Sequence, residues 1–144
     1  MIFGNKLSLE SQKVKLFLKN LKIVLKDELM SFESIEREYD FTLSYRNHNL
    51  DKLLENDKIE ILNLDNNIDV IVLDVISEFG CKDGDAVSLY IELKDNISFK
   101  YIISNVFDEY ERDDVETAIE NAISKVLDMI GLSNTTYDLK EVFN

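Results

Sequence analysis

The hydrophobic period of this chain changes twice, and that change limits the folds open to it. From Ser11 to Met30, Val14, Phe17, Leu18, Leu21, Val24 and Leu25 recur at helical spacing. From Tyr39 onward the period shortens to two. Tyr39, Phe41, Leu43 and Tyr45 alternate with polar residues, as do Val87, Leu89, Ile91 and Leu93. After residue 106 the helical period returns: Val115, Ala118, Ile119, Ala122, Ile123, Val126, Leu127 and Ile130 form an unbroken stripe at +3 and +4. Each helix must bury its stripe against something, and the strands between supply the surface.

Between the helices the sequence predicts about five strands. Val70-Ile71-Val72-Leu73 is apolar on both faces and marks a central strand within Ile68–Ile76. Ile59–Leu64 and Ile97–Val106 are further strands. Asn47-His48-Asn49, Asp65-Asn66-Asn67 and Asp95-Asn96 read as turns, Gly80–Asp85 as a loop, and Leu50, Leu53 and Leu54 as one or two helical turns. Asp113 and Glu116 have capping-box spacing at the head of the last helix, and Gly131 stands where a left-handed C-terminal cap belongs. Residues 133–144 are read as a tail with one short turn. Short connections force antiparallel pairing. The expected fold is a single α+β domain over residues 1–144: a two-layer sandwich, its antiparallel sheet covered on one face by an N-terminal and a C-terminal helix.

Composition excludes several classes. At 144 residues with 45% hydrophobic content the chain can build a core. No apolar run approaches the ~18 residues of a membrane span, and nothing at the N-terminus resembles a signal peptide. One cysteine, Cys81, rules out an internal disulfide framework, and one histidine, His48, a His-rich metal centre. Four glycines and no proline leave no linker and no phosphate-binding loop. No cofactor or metal is expected, and the reading is of a cytoplasmic protein that is not an enzyme.

Charge is the feature with functional content. Sixteen Lys and Arg face twenty-nine Asp and Glu, a net charge of −13. Residues 1–30 are net +3, and residues 31–80 and 81–144 are −8 each. Such a field opposes direct nucleic-acid binding and favours basic protein partners. In the first helix Lys15, Lys19, Lys22 and Lys26 share one face. That face reads as solvated, as an internal dock for the acidic remainder, or as a membrane-surface face, the last spoiled by Leu16 and Ile23. The densest acidic run is Asp108, Glu109, Glu111, Asp113, Asp114, Glu116 and Glu120, seven carboxylates in thirteen residues. Helix-dipole stabilisation accounts for Asp113, Asp114 and Glu116. As a protein-binding surface the run offers Asp108, Glu109, Tyr110, Glu111, Asp114 and Glu120, with Tyr110 as an aromatic anchor for Arg or Lys.

Three functional readings follow. The chain resembles, in size, charge and lack of catalytic residues, phage-encoded inhibitors of nucleases or CRISPR effectors and immunity proteins for nuclease toxins. That resemblance implies a basic partner, such as a nuclease or nucleic-acid-binding effector, held by carboxylates placed where phosphates would lie. It is also similar, in size and acidity, to class I type III secretion chaperones, which implies a homodimer, although the seventy-seven to eighty-five region is too short for the helix those chaperones insert. Finally, Glu92-Leu93-Lys94 with Asp74 resembles the PD-(D/E)xK metal-dependent nucleases. Against it stand the overall charge and the turn at Asp95-Asn96 where a helix would be expected. Asp65–Asp69 begins like an EF-hand loop but has Val70 where glycine is needed and Ile76 where glutamate is needed.

Overall fold

A computed structural model describes residues 11–47, 52–54, 70–79, 82–92, 98–104 and 107–142. Helix α1 runs Ser11–Ser31 and buries Val14, Phe17, Leu18, Leu21, Leu25 and Leu29. After Phe32 the chain makes a short second helix, α2, at Glu33–Glu38. The strands are β1 Asp40–Asn47, β2 Lys52–Leu54, β3 Val70–Phe79, β4 Lys82–Glu92, β5 Ser98–Ile103 and β6 Asp138–Glu141. Helix α3 spans Glu109–Met129 between β5 and β6.

The sheet order is β2-β1-β3-β4-β5-β6. The first four pairings are antiparallel, and β3 lies in the interior, as its two-sided apolar centre requires. Leu43, Tyr45, Ile71, Leu73, Val75, Leu89, Ile91, Phe99 and Tyr101 form one core with the helices. The Tyr45 hydroxyl, fully buried, donates to the Leu18 carbonyl of α1. Phe17 of α1 meets Phe99 of β5 with ring centroids 5.7 Å apart. The two-layer α+β sandwich is therefore the architecture observed.

Four local expectations change. The sheet is mixed, because residues 138–141 add to β5 in parallel, with Phe99 opposite Leu139. A parallel neighbour needs a crossover, and α3 provides it. Leu53 and Leu54 belong to a strand instead of a helical turn, with Leu54 opposite Tyr45. The loop expected at Gly80–Asp85 is mostly strand, since β4 begins at Lys82, opposite Phe79. The register shifts beside Val75 and Ile76, leaving Ala86 as an extra residue on β4. Ala86 and Val87 are consequently both buried, which breaks the alternation that marked the strand only from Val87. The Ala86 carbonyl accepts the Ser104 N–H at 2.8 Å. The strand expected at Ile59–Leu64, the turns at Asp65-Asn66-Asn67 and Asp95-Asn96, and His48, Cys81 and Lys94 lie outside the described residues.

Candidate functional site: an acidic flank on the last helix

Helix α3 starts five residues earlier than Asp113 would set it. Asp108 is the N-cap; its side chain accepts from the Glu111 N–H at 2.8 Å. Glu111 Oε1 returns the bond, accepting from the Asp108 N–H at 2.9 Å. The capping box is thus Asp108 with Glu111, not Asp113 with Glu116. Glu111 Oε1 also accepts from the Tyr39 hydroxyl at 3.2 Å, and the Tyr39 ring packs tilted against Phe107 with centroids 5.0 Å apart. Tyr39 and Phe107 draw the helix start into the core, and Glu111 goes with them.

This placement divides the acidic run. Glu111 is only 5% exposed, and its Oε2 has no hydrogen-bond partner. It is a structural carboxylate, and it does not stand on the surface with the others. Asp114 is half-buried and accepts from Ser34 of α2 at 3.2 Å, so it faces α2. Arg112 does not oppose the run. Its guanidinium donates to the Ile103 and Ser104 carbonyls at 2.8 and 3.3 Å and pairs with Glu141 of β6 at 2.8 Å. Asp108, Glu109 and Glu120 are exposed, and Tyr110 is 82% exposed.

The residues that do share a flank are Glu109, Asp113, Glu116 and Glu120. At about 100° per residue they fall within an arc of about 60°, and they span about 16 Å of helix axis. Glu109, Asp113 and Glu120 are exposed and Glu116 is half-buried. The flank borders β5 and the chain that follows α3. Tyr101 of β5 shares a hydrogen bond with Glu116, and its hydroxyl is pushed well above the ordinary tyrosine range by burial first, then by Glu116 and Glu141. Tyr137 is raised by burial and by the Glu120 charge. Asp113 and Glu116, assigned to capping by sequence spacing, are thus members of the surface column. The signal for the column was present as 4, 3 and 4 spacing, but it could be read only once the helix start was known.

The ExK reading loses its geometry. Asp74 is buried, with Oδ2 2.5 Å from Arg46 Nε and Oδ1 accepting from Ser88 Oγ at 2.9 Å. Arg46 is held charged above its usual range by the bond to Asp74. Glu92 lies opposite Val70, four residues along β3 from Asp74, a separation of about 13 Å. Its carboxylate pairs with Lys100 at 2.8 Å and accepts from Ser98 at 3.2 Å, and the Lys100 bond holds it below the ordinary carboxylate range. Asp74 and Glu92 therefore do not converge on one ion. Among the described residues no group of three or more His, Cys, Asp or Glu is placed to hold a metal, and no helix is long and apolar enough to cross a membrane.

Against known proteins, no family model, no curated protein and no solved structure matches the chain.

Proposed function

We propose that this protein acts by binding, and that the flank Glu109–Asp113–Glu116–Glu120 occupies a basic surface on another macromolecule, of the kind a nuclease or nucleic-acid-binding effector presents. The observation that carries this reading is the column itself. Four carboxylates line one helix edge, and Arg112, the cation closest to them in sequence, is turned away to Glu141 and two carbonyls. Carboxylates on a rigid helix present a fixed row of negative charge, as a phosphate backbone does, and guanidinium and ammonium groups recognise both. Tyr110, next to the column and exposed, supplies a flat surface for an Arg or Lys side chain.

The test is competition. Purified nucleases and basic nucleic-acid-binding proteins are assayed for DNA cleavage or binding with and without this protein. The expected result is inhibition whose association rate falls steeply with salt. It should be lost in the triple variant Glu109→Lys, Asp113→Lys, Glu120→Lys, which leaves the buried Glu111 intact. If wild type and the triple variant inhibit equally, the flank is a solvated face and the reading fails.

A further inference from the structure

The sheet ends on a strand whose outer edge is open. Strand β6 pairs with β5 on one side, and among the described residues no strand pairs with the other. One bond fixes the direction of its backbone: the Val142 N–H donates to the Tyr101 carbonyl at 2.8 Å. Successive residues of a strand turn their N–H and C=O to opposite sides. Asp138, Lys140 and Val142 therefore turn theirs to β5. Leu139 and Glu141 turn theirs outward, as does Tyr137 just ahead of the strand. Side chains alternate between the two faces as well. Tyr137 and Leu139 pack against the core and Glu141 pairs with Arg112 on the helix side, so Asp138 and Lys140 stand on the other face. Both are exposed, and among the described residues neither is in an ion pair.

A lysine on an edge strand ordinarily guards it against pairing. Here the lysine lies two residues from a carboxylate, and the two are complementary to a second copy of themselves. We propose that β6 is a homodimer contact, adding antiparallel to β6 of a second copy about a twofold axis at Leu139. Outward backbone must meet outward backbone, so the hydrogen bonds close only where odd-numbered residues lie opposite one another. In the register centred on Leu139, Leu139 faces Leu139 as a hydrogen-bonded pair and Tyr137 faces Glu141. Each Asp138 then faces Lys140 of the other copy. Sliding to either neighbouring register that the backbone allows sets Lys140 on Lys140 or Asp138 on Asp138, and like charges directly opposite are destabilising. The charges thus select one register. On its β5 side Lys140 lies opposite Lys100, a like charge already paired with Glu92. The second copy's Asp138 brings the opposite charge to its open side.

The contact joins like surfaces about a twofold axis, so it closes at a dimer. A seam running from Tyr137 to Glu141 is smaller than a stable interface, which buries about 1,200 Å² or more, so the dimer is a weak one. The net charge of −13 on each copy opposes it, and so do the acidic flanks of α3, which border the seam on the helix side. At physiological salt that repulsion is screened over about 8 Å, while groups in direct contact are screened much less.

The inference does not depend on a foreign basic partner. Its experiment is sedimentation velocity at physiological salt, up to about 1 mM protein, with folding checked by circular dichroism. Wild type should pass from monomer to dimer with concentration and go no further. Asp138→Lys and Lys140→Asp each set like charges opposite one another, and each should weaken the dimer about tenfold or more. Mixed in equal amounts, these two variants should dimerise at least as tightly as wild type, and the chain carrying both changes should dimerise again. Hydrogen exchange locates the seam. The Leu139 and Glu141 amides should slow as protein concentration rises, while those of Lys140 and Val142, turned to β5, should be slow throughout. A wild type that stays monomeric overturns the proposal and leaves the edge to an extended segment of another protein. Mass beyond a dimer overturns it, as do single variants that dimerise as wild type does, a mixture of them that stays monomeric, or a Leu139 amide indifferent to concentration. A wild type that inhibits a nuclease yet remains monomeric ends this inference alone; a dimer that inhibits no basic protein ends the other alone.

Discussion

Replacing Glu111 separates what the acidic run does for the fold from what it does at the surface. Glu111→Ala removes the acceptor for two donors, the Asp108 N–H at 2.9 Å and the Tyr39 hydroxyl at 3.2 Å. Losing the return half of a capping box costs about 0.5–1 kcal/mol. Leaving the buried Tyr39 hydroxyl without its acceptor costs about 1–2 kcal/mol. The substitution also deletes Glu111 Oε2, a buried oxygen without a hydrogen-bond partner, which returns part of that loss. The net is about 2 kcal/mol, and for a domain of this size 1 kcal/mol moves the Tm by roughly 2–4 °C. A fall of roughly 4–8 °C is expected in a thermal melt followed by circular dichroism.

Controls on the same helix make the result decisive. Glu109→Ala gives up only an exposed charge near the helix N-terminus, about 0.3–1 kcal/mol. Glu111→Lys puts a cation where the carboxylate was buried, and should cost about 3–5 kcal/mol. If Glu111→Ala and Glu109→Ala melt alike, the buried capping box is not what holds the start of α3.

Three further outcomes are expected. Ile119→Asp places a charge at a fully buried position of α3 and should lower the Tm by more than 10 °C or prevent folding, as read by the same melt. Gly131 has φ 78° and open space where a Cβ would go, so Gly131→Ala should cost about 1 kcal/mol through backbone strain alone, and a loss above about 3 kcal/mol in urea unfolding would contradict that. Burial holds the hydroxyls of Tyr45, Tyr101 and Tyr137 protonated above the ordinary range. The unfolded chain releases those protons near pH ~10. Their contribution is complete below that pH and declines as pH rises past it, so the urea midpoint should fall between pH 9 and 11, and less so in Tyr101→Phe.

Elements that bury a long periodic face were legible in the sequence. All eight residues of the stripe from Val115 to Ile130 are buried, and Gly131 ends the helix as expected. There the Leu132 N–H reaches the Leu127 carbonyl at 2.8 Å and the Gly131 N–H the Asp128 carbonyl at 3.2 Å. What escaped was decided by partners distant in sequence. Asp108-x-x-Glu111 and Asp113-x-x-Glu116 are equally good capping boxes on paper. The Tyr39 hydroxyl and the packing of Phe107 choose the first, and no local pattern shows that. The short strands β2 and β6 carry three and four residues, too few for a period, and exist because β1 and β5 offer them an edge. The candidate site was half legible: Glu109, Tyr110 and Glu120 are at the surface, Glu111 is inside, and Asp113 and Glu116 join the column.

The separation of charge across the helical layer has a topological cause. Because α3 is the crossover between β5 and β6, it lies over that end of the sheet, while α1 lies toward β1. Each helix therefore has one flank against the other helix and one flank facing outward. The inner flanks are spent on contacts such as Glu28 with Lys125. Arg112, the cation closest in sequence to the acidic column, is drawn to Glu141, which is in position only because β6 returns beside β5. The parallel strand thus takes the cation that would otherwise sit among the carboxylates. The result is a strongly acidic molecule that still has a basic end. A basic partner of the kind proposed would be turned toward the α3 flank by the long-range field before any contact formed. Its orientation on encounter would then be set by where a four-residue strand pairs, a property that net charge alone does not contain.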